Sequence, residues 1–438
     1  MSDSTGVPAG LRVAIITRSV APLHGVGGLE RHVGDLVRHL LERNVDVTLV
    51  TRHATDRDQL ATMAHRRLVI CEVPYRTFPL AGRRGTTVLD RSTAYPLFGY
   101  RAGRVALGLA GEGRVDLVYG HGAAALGYAL AHRRSRTTTP PFVFNPHGLE
   151  EFGGADGTYG GHPAKRIGYA PLRAVVRLCA RAADRVIATD RTIEPAIVRY
   201  LGIDQAAMRL VPNAVDVGRA DGLAGPGDGD RMRERHQIGR EEKVLVSVGR
   251  LEHNKGFHVL ADALATMTDF PWRWVLVGDG SSGPSIERRL RRSGIIDRVI
   301  LTGSQGDAAL HAWYEASSLF VHPTLYEGSS IVTLEAMAHR RAVVASAAGG
   351  LPDKVLEGQT GWLVPPGDPT ALAAALRKAL AEPGRLRHMG LAGRELVEKE
   401  FCWDAVTGRL LAVFSELVTG KTTAGVASRA QGGQRAGK

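Results

Sequence analysis

The chain has 438 residues, of which 44% are hydrophobic and 23% charged, and its net charge is +12. These proportions are those of a globular protein, and the length exceeds what one ordinary hydrophobic core supports, so we expect two domains. No apolar run reaches the roughly 18–20 residues that cross a bilayer, which excludes a protein built on membrane-spanning helices.

Strand and helix signals alternate along the first half. The apolar run LRVAIIT (residues 11–17) predicts a strand covered on both faces, and apolar residues recur at helical spacing between positions 29 and 41. Five further strands are predicted by VDVTLVT, RLVICEV, VDLVYG, FVFNP and DRVIAT, with helical segments between most of them. This alternation predicts a parallel sheet with helices on both faces.

The second half repeats the pattern after an interruption. Gly, Pro and Asp break all periodicity at residues 216–230, and a new alternating series begins at KVLVSVG. The sequence therefore predicts two Rossmann-like, doubly wound α/β domains with ligands at the carboxyl ends of the strands, in a cleft between the domains. The predicted parts are a first domain over 11–215, a linker over 216–230, a second domain over 231–400, a helix over 401–418 that packs back on the first domain, and a disordered tail over 419–438.

Glycines and histidines follow strands of the first domain. In HGVGGLERH, Gly27 and Gly28 allow a phosphate to approach the start of a helix, although Glu30 occupies the third glycine's place in a dinucleotide fingerprint. The strand FVFNP leads into His147 at the carboxyl edge of the predicted sheet, and His121 has a similar setting and is the second choice. A lone histidine is more often structural than catalytic, so each role depends on its context.

The first half is also the more basic one. Residues 1–215 hold 28 Lys and Arg against 18 Asp and Glu, whereas residues 216–438 hold 28 against 26. Four arginines recur at every fourth position, which predicts a basic stripe on one helix face. They are Arg173, Arg177, Arg181 and Arg185. Such a surface suits a phosphorylated acceptor or an anionic membrane surface on the cytoplasmic side, and a solvated outer face is the alternative.

The first strand–helix turn of the second domain carries two cations. In SVGRLEHNKGFHVL, Arg250 and Lys255 lie between a strand and the next helix, where free backbone N–H groups also favour anions. This combination predicts a diphosphate site. Two exposed surface residues are the simpler alternative.

The next strand of this domain ends in a dinucleotide-binding fingerprint. In VLVGDGSSGPSIERRL, Gly278, Gly280 and Gly283 follow the strand in G-x-G-x-x-G spacing, with Asp297 further along. The NAD fingerprint belongs on the first strand–helix turn of a domain, and here it follows the second strand. We therefore expect a tight structural turn, with an NAD-dependent oxidoreductase as an alternative.

Two glutamates follow a later strand in LYEGSSIVTLEAMA. Glu327 begins a loop that continues with Gly328, Ser329 and Ser330, and Glu335 lies inside the following helix. A carboxylate beside backbone and hydroxyl donors suits sugar hydroxyls and phosphate oxygens, and Glu335 has acceptors for both hydroxyls of a ribose. A solvated helix face is the alternative.

The cysteines and the start of the chain indicate the compartment. Cys71, Cys179 and Cys402 are far apart and form no C-x-x-C pair, which argues against a disulfide framework and a structural zinc site. Residues 1–10 lack the basic segment and apolar core of a secretion signal. We therefore expect a cytoplasmic protein, and no feature points to nucleic acid.

Taken together, these motifs resemble the retaining family 4 glycosyltransferases of the GT-B fold. The resemblance extends from about residue 11 to residue 418 and rests on eight marks in the family's order. They are the GGLERHV loop and helix, the strand that ends in His-Gly, VPNAVD, VGRLEHNKG, VGDGSSG, the spaced glutamates with EAMA, GGLPD and TGWLVPPGD. The resemblance implies two Rossmann-like domains that face an interdomain cleft.

The resemblance also implies a role for each candidate residue. Arg250 and Lys255 neutralise the donor diphosphate, so that no metal is required, and Glu335 holds the ribose hydroxyls. His147 and Glu327 lie against the transferred sugar. The implied catalytic residues are His147, Glu327, Arg250 and Lys255. The implied donor-binding residues are Gly27, Gly28, Arg250, Lys255, Glu327, Gly328, Ser329, Ser330, Ile331 and Glu335.

The implied reaction transfers a hexose or N-acetylhexosamine from a UDP- or GDP-sugar to a hydroxyl acceptor, with retention of configuration and without a cofactor. The acceptor is a sugar, a glycolipid or another small molecule, as in cell-envelope or small-molecule glycoside biosynthesis. Because the motifs contain no evident nucleophile, the hypothesis is front-face attack, in which a donor phosphate oxygen takes the acceptor proton. A nucleotide-sugar epimerase and a non-catalytic protein that binds a sugar nucleotide or a membrane are the further alternatives.

The chain departs from the family pattern at three places, one of which is RNVD (residues 43–46), where many members have RGH before the second strand. Many members have Glu-Gly/Ser-Phe-Gly where this chain has Glu327, Gly328, Ser329 and Ser330, and this difference leaves the identity of the donor sugar open. Asp353 stands where a glutamate is usual after the G-G-x-P turn.

Overall fold

The computed structural model describes residues 10–25, 27–77, 86–152 and 167–433. Contacts between Cα atoms divide the chain into two compact units. The first unit comprises Met1–Thr189, Ile193–Val211 and Val406–Lys438, and the second comprises Asp190–Thr192 and Pro212–Ala405. Within the described residues, each unit is built on its own parallel sheet.

Seven parallel strands form the sheet of the first unit in the described ranges. They are β1 (Arg12–Ile16), β2 (Asp46–Arg52), β3 (Leu68–Val73), β4 (Leu117–His121), β5 (Phe142–Asn145), β6 (Arg185–Ala188) and β7 (Met208–Leu210). Their spatial order is β3-β2-β1-β4-β5-β6-β7. The side chains of β1 and β4 are buried almost throughout, as a strand covered on both faces requires.

Helices connect the strands of the first unit. They are α1 (Gly28–Glu42), α2 (Asp58–Thr62), α3 (Thr86–Ser92), α4 (Ala94–Gly111), α5 (Leu126–Arg134), α6 (Ala170–Ala182) and α7 (Glu194–Leu201). The predicted amphipathic helix is α1, which buries Val33, Leu36, Val37 and Leu40 on one side. These residues recur every three or four positions, so the helix is held by the burial of that side.

The sheet of the second unit has six parallel strands within the described residues, in the order β10-β9-β8-β11-β12-β13. They are β8 (Lys243–Val248), β9 (Trp272–Val277), β10 (Val299–Gly303), β11 (Leu319–His322), β12 (Val343–Ser346) and β13 (Gly361–Val364). The helices are α8 (Val217–Leu223), α9 (Pro226–Arg235), α10 (Phe257–Ala265), α11 (Gly283–Arg292), α12 (Asp307–Ala316), α13 (Ile331–Ala338), α14 (Pro369–Ala381) and α15 (Pro383–Leu396). Trp272 and Trp274 are fully buried in its core.

Both sheets have a switch point beside their first strand. In the first unit β2 and β4 flank β1, and in the second β9 and β11 flank β8. The loops that follow β1, β4, β8 and β11 leave the carboxyl edges of the sheets at these points, where ligands of such folds bind. The predicted pair of doubly wound, Rossmann-like parallel sheets is confirmed.

The segment predicted to be a linker is helical. Asp216 is the N-cap of α8, and its carboxylate accepts a hydrogen bond from Arg219 N at 2.8 Å. Gly225 is the N-cap of α9, and the Asp228 carboxylate accepts a hydrogen bond from Gly225 N at 2.9 Å. The residues that interrupt the periodicity are thus helix caps and first-turn residues, so residues 216–230 are not the irregular linker that was predicted.

A long helix, α16 (Trp403–Gly433), ends the described chain, and its residues from Val406 belong to the first unit. The Phe414 ring lies 5.6 Å from the ring of Tyr119. The helix includes residues 419–433, where a disordered tail was predicted, and residues 434–438 lie outside the described range. This segment contains no proline, and its alanine, lysine and arginine residues favour helix. Among the described helices, neither α16 nor any other is long and apolar enough to span a bilayer.

The predicted basic stripe does not lie on one helix face. Its first three arginines belong to α6, whereas Arg185 is the first residue of β6. Arg177 Nε donates to Tyr200 O at 2.7 Å, and Arg181 Nε donates to Leu201 O at 2.9 Å. These two guanidinium groups therefore join α6 to the end of α7, a contact between helices that the spacing of the arginines does not reveal.

Candidate active site

A tight turn after β8 positions the two predicted cations. Arg250 follows the strand, and a 3₁₀ turn (His253–Lys255) ends at Gly256, which has a φ of +67°. A Cβ atom at Gly256 would overlap the carbonyl oxygen of Pro323 in the loop after β11. Glycine at this position therefore lets the loops after β8 and β11 approach each other closely.

The loop after β11 is bonded to that turn and ends in a capped helix. Leu325 N donates to Asn254 O at 2.8 Å. Ser330 is the N-cap of α13, and its Oγ accepts a hydrogen bond from Thr333 N at 3.3 Å. The backbone amide of Ile331 therefore lies in the first turn of a helix, where free N–H groups favour an anion, and residues 328–330 lead into that turn.

Lys255 and Glu327 form a shielded ion pair in the second unit. Lys255 Nζ lies 2.7 Å from Glu327 Oε2, and the two side chains retain 18% and 12% of their solvent exposure. His322, the last residue of β11, donates from Nε2 to the same oxygen at 2.9 Å. The structure thus brings together a predicted cation and the predicted carboxylate, and adds a histidine.

These contacts keep Glu327 ionised. Burial alone would raise the pKa of the Glu327 carboxyl, but the charge of Lys255 and the hydrogen bonds from His322 and Lys255 hold that pKa well below its ordinary value. Burial lowers the pKa of His322 despite its bond to Glu327, so this imidazole is neutral at pH 7. One carboxylate, one ammonium group and one neutral N–H donor therefore share the carboxyl edge of the sheet.

Arg250 differs from Lys255 in its surroundings. Its side chain is exposed, and it forms no ion pair with any residue of the described ranges. The guanidinium group is therefore available to an anionic ligand at the carboxyl end of β8. Its contact with a diphosphate stays a prediction.

Glu335 lies on α13 and is buried, with 7% of its surface exposed. Tyr314, on α12, donates from its hydroxyl to Glu335 Oε2 at 2.9 Å. Glu335 is therefore held by the core of the second unit, and the alternative of a solvated helix face was wrong for this residue. Its bond to ribose hydroxyls stays a prediction.

The GGLPD turn packs against the loop of Glu327. Gly350 N donates to Gly328 O at 2.9 Å, and Gly349 has a φ of +53°. A Cβ atom at Gly349 would overlap the carbonyl oxygen of Glu327. This sequence mark therefore holds the backbone next to the predicted carboxylate in place.

In the first unit, α1 begins at the two predicted glycines. Gly27 is the N-cap and Gly28 is the first helical residue, and both are exposed. A Cβ atom at Gly27 would overlap the Glu30 carboxylate, which shows that this side chain folds back onto the amino end of α1. A carboxylate is itself favourable at the amino end of a helix. The contact of these glycines with the donor stays a prediction.

His147 follows β5 and has an uncommon backbone conformation, with a φ of +60°. Its N donates to Asn145 Oδ1 at 2.8 Å, and its Nε2 lies 2.6 Å from Nδ1 of His121. Burial, with a smaller effect of His32, lowers the pKa of His147 to about 3, so the ring is neutral. The two histidines noted separately in the sequence thus form one pair.

The second unit also contains a cavity of about 610 Å³ next to the turn after β8. Residues of α10 and α11 line it, including His258 and Arg289, and none of the predicted site residues does. In the described ranges, no three His, Cys, Asp or Glu side chains are arranged to hold a metal ion.

Comparison with known families identifies the chain. A model of Glycosyltransferase Family 4 matches residues 26–219, and a model of Glycosyl transferases group 1 matches residues 242–382. The chain is a family 4 glycosyltransferase of the GT-B fold. The two matched segments together cover most of the chain and contain the predicted residues of both units.

This glycosyltransferase has relatives that match it over most of its length. The D-inositol 3-phosphate glycosyltransferase of Salinispora tropica is 28% identical in an alignment of 441 positions. The alignment covers 94% of this chain and 86% of the relative. The 2-deoxystreptamine glucosyltransferase of Streptomyces kanamyceticus is 29% identical over 259 residues, 58% of this chain and 66% of the relative. The solved structure of Anabaena HepE in complex with UDP has a TM-score of 0.71 at 21% identity, and covers 93% of this chain and 100% of its own. The likeness to HepE supports the GT-B fold.

The glycine fingerprint of this glycosyltransferase has a structural explanation. Gly278 has a φ of +138°, and a Cβ atom there would overlap the carbonyl oxygen of Gly249. A Cβ atom at Gly280 would lie 2.5 Å from Leu251 O. The glycines therefore let the loop after β9 pack on the turn after β8, which accounts for the G-x-G spacing without a dinucleotide.

Two residues that contact the predicted glutamates were not predicted. His322 bonds to the Glu327 carboxylate, and the available signal was a polar residue at the end of the apolar run LFVHP, five positions before Glu327. Tyr314 gave no such signal, because its contact with Glu335 joins two helices. A polar residue at the carboxyl end of a buried parallel strand is therefore a candidate site residue because of its position alone.

Proposed function

We propose that this glycosyltransferase moves a hexose or N-acetylhexosamine from a UDP- or GDP-sugar to a hydroxyl acceptor, with retention of configuration and without a metal ion. The observation that carries the proposal is the Lys255–Glu327 pair at the switch point between β8 and β11. It sets a cation suited to a diphosphate beside a carboxylate suited to a sugar. HepE, which shares the fold, was solved with UDP and with UDP-glucose, and this supports a nucleotide-sugar donor.

The proposed roles follow from the charge that develops during transfer. The leaving nucleoside diphosphate gains negative charge as its bond to the sugar breaks. Lys255, which Glu327 holds, and the amides at the start of α13 are fixed before the reaction, so they stabilise this charge without reorganisation, and the exposed Arg250 adds a second positive charge. These groups supply the positive charge that the step requires, and we therefore propose that the transfer proceeds without a metal ion.

Glu327 is suited to stabilise a cation rather than to accept a proton. A carboxyl group whose pKa is held well below its ordinary value is a weak base and a weak nucleophile. Its negative charge instead stabilises the oxocarbenium-like sugar of the transition state. We therefore propose front-face attack. The acceptor oxygen forms the new bond to the sugar on the face from which the diphosphate leaves, and the bond between sugar and diphosphate breaks. A diphosphate oxygen takes the acceptor proton.

We infer that the acceptor is a small hydroxylated molecule. Two relatives are named for such acceptors, D-inositol 3-phosphate in one and 2-deoxystreptamine in the other. The excess of 28 basic over 18 acidic residues in 1–215 favours the phosphorylated kind. Retention of activity with a dephosphorylated acceptor would argue against this preference.

A panel of UDP, GDP, ADP and NAD tests the donor. The matching nucleotide, at about 100 times its Kd, should raise the free energy of unfolding by about 2.7 kcal/mol, which thermal unfolding detects. We expect the largest shift with UDP or GDP and none with NAD. Lys255→Ala is the control and should lose most of the shift. A shift with NAD alone would contradict the proposal and favour an oxidoreductase.

Analysis of the released sugar separates transfer from the remaining alternatives. With the matching donor and no acceptor, the enzyme should release the nucleoside diphosphate slowly and leave the anomeric configuration of the sugar unchanged. A change at another ring carbon would indicate an epimerase. Binding without any release would indicate a non-catalytic binder.

Binding of the basic first unit to an anionic membrane surface stays a prediction, as does the cytoplasmic location. We expect the protein to float with vesicles that contain anionic lipid, and we expect high salt to abolish this binding because it screens exposed charges. Neutral vesicles are the control. Equal recovery with both kinds of vesicle would assign the basic residues to a solvated surface.

A further inference from the structure

Two histidines meet at the carboxyl edge of the sheet in the first unit. His121 ends β4 and His147 follows β5, and His121 Nδ1 lies 2.6 Å from His147 Nε2. The ring planes are inclined by 19°, with centroids 4.8 Å apart. Because 2.6 Å is shorter than the separation of two stacked rings, the nearly parallel rings meet edge to edge through an N–H···N hydrogen bond.

Neighbours in the same unit hold both rings. Asn145 accepts from His147 N at 2.8 Å and donates to the Tyr119 hydroxyl at 3.0 Å. The centroids of the Tyr119 and His121 rings are 4.5 Å apart, and the Tyr95 hydroxyl donates to His121 O at 3.2 Å. His121 is 2% exposed, whereas His147 is partly exposed. The buried ring is therefore a fixed support for the more accessible one.

Both imidazoles are neutral. Burial, followed by the effects of His147 and His32, lowers the pKa of His121 far below its ordinary value, and burial lowers the pKa of His147 to about 3. Because each neutral ring carries one proton, the hydrogen bond has two arrangements. Either His121 donates from Nδ1, or His147 donates from Nε2.

The surroundings of His121 decide between these arrangements. In the described part of the chain, His121 Nε2 is buried and has no hydrogen-bond partner. If His147 were the donor, this nitrogen would carry a buried N–H without an acceptor, which proteins rarely tolerate. If His121 is the donor, the same nitrogen holds only a lone pair, and buried acceptors are left unsatisfied more often than buried N–H groups.

We propose that His121 is a positioning residue that fixes the tautomer of His147. His121 donates its Nδ1 proton to His147 Nε2, so His147 carries its own proton on Nδ1. Within the described ranges no residue hydrogen-bonds to His147 Nδ1, so this N–H is available to an oxygen of a bound ligand, such as a sugar hydroxyl or a phosphate. The consequence for turnover rests on the proposed glycosyl transfer, whereas the tautomer does not.

Ring-nitrogen NMR of protein labelled with ¹⁵N-histidine tests the tautomer. In the wild type, His147 should show a protonated Nδ1 and an unprotonated Nε2, and its signals are assigned by their loss in His147→Gln. His121→Leu removes the donor, and His147 should then move its proton to Nε2, the more stable tautomer of an unbonded imidazole. His121→Asn is the matched variant, because its amide N–H can replace Nδ1–H, and it should keep the wild-type tautomer.

The transfer assay adds a second measurement. His121→Leu should lower kcat about 10- to 100-fold and leave the donor KM near its wild-type value, as expected for a misplaced group in the site, and His121→Asn should keep most of kcat. A protonated Nε2 on His147 in the wild type, or an unchanged tautomer and kcat in natively folded His121→Leu, would overturn the proposal. If the wild type transfers no sugar, the proposed function fails, and the NMR experiment still decides the tautomer.

Discussion

Replacing Arg250 and Lys255 together by alanine should lower kcat by about 10³-fold or more. Both cations are proposed to face the negative charge on the leaving diphosphate, and removing one preorganised group of this kind costs roughly 10²–10³ in kcat. The measurement is a transfer assay with the donor that the nucleotide panel identifies. Near-normal transfer by the double variant would show that the two residues do not bind the diphosphate.

The single variants should differ in stability. Arg250 is exposed and has no ion-pair partner in the described ranges, so Arg250→Ala should lower kcat and leave the Tm unchanged. Lys255→Met removes the ion pair and leaves the Glu327 carboxylate with only the hydrogen bond from His322, of the two contacts described above. Breaking a fully buried pair costs about 3–5 kcal/mol, and the 18% exposure of Lys255 places the expected loss at or below the lower end of that range. Denaturant unfolding measures this difference.

Arg240→Ala is the matched control for these variants. Arg240 is also an exposed arginine of the second unit, but it precedes β8 and so lies beyond the opposite end of the strand from Arg250. Its replacement should leave both kcat and Tm unchanged. An equal loss of kcat in Arg240→Ala and Arg250→Ala would indicate general steering of an anionic donor by positive charge rather than a local role.

The strands and the placement of the site residues could be predicted because both depend on local sequence. LRVAIIT and KVLVSVG are mostly apolar, and they form β1 and β8, whose side chains after the first residue are buried in two parallel sheets. Parallel strands bring their carboxyl ends to one edge of a sheet, so residues that follow such strands lie near each other. Lys255 and Glu327 are 72 positions apart and still form a hydrogen bond.

The contacts within the site could not be predicted in the same way. The sequence placed His121 and His147 at one sheet edge, but their 2.6 Å contact depends on the pairing of β4 with β5 and on the left-handed backbone of His147. The bond from His322 to Glu327 likewise depends on how the loop after β11 folds back onto its strand. Hydrophobic periodicity carries no information about such turns.

Helix caps account for the error at residues 216–230. Glycine, proline and aspartate favour both irregular loops and helix starts, so their composition does not distinguish the two. Here Asp216 and Asp228 accept hydrogen bonds from backbone N–H groups at the starts of α8 and α9. The second unit therefore includes the segment that the composition assigned to a linker.

Glu327→Gln should lower the free energy of unfolding at neutral pH by about 1.5–3 kcal/mol, the range for hydrogen bonds to a charged group. Burial alone would raise the pKa of Glu327, but Lys255 and His322 hold it well below the ordinary value of 4.5 in the folded state. Such a group adds stability that is fully present above its unfolded-state pKa and is lost as the pH falls toward its folded-state pKa. The difference between wild type and variant should therefore be constant between about pH 8 and pH 5 and should shrink below about pH 4.5.

Urea unfolding of both proteins across this pH range measures the difference, with Glu241→Gln as the control. Glu241 is exposed and also precedes β8, so its replacement should have almost no effect at any pH. A difference for Glu327→Gln that persists unchanged to the lowest pH would mean that the ion pair is not the source of the stability. Because glutamine keeps the shape of glutamate and one acceptor oxygen, a loss of kcat together with this pH-dependent stability would assign both effects to the missing charge, as stabilisation of an oxocarbenium-like sugar requires.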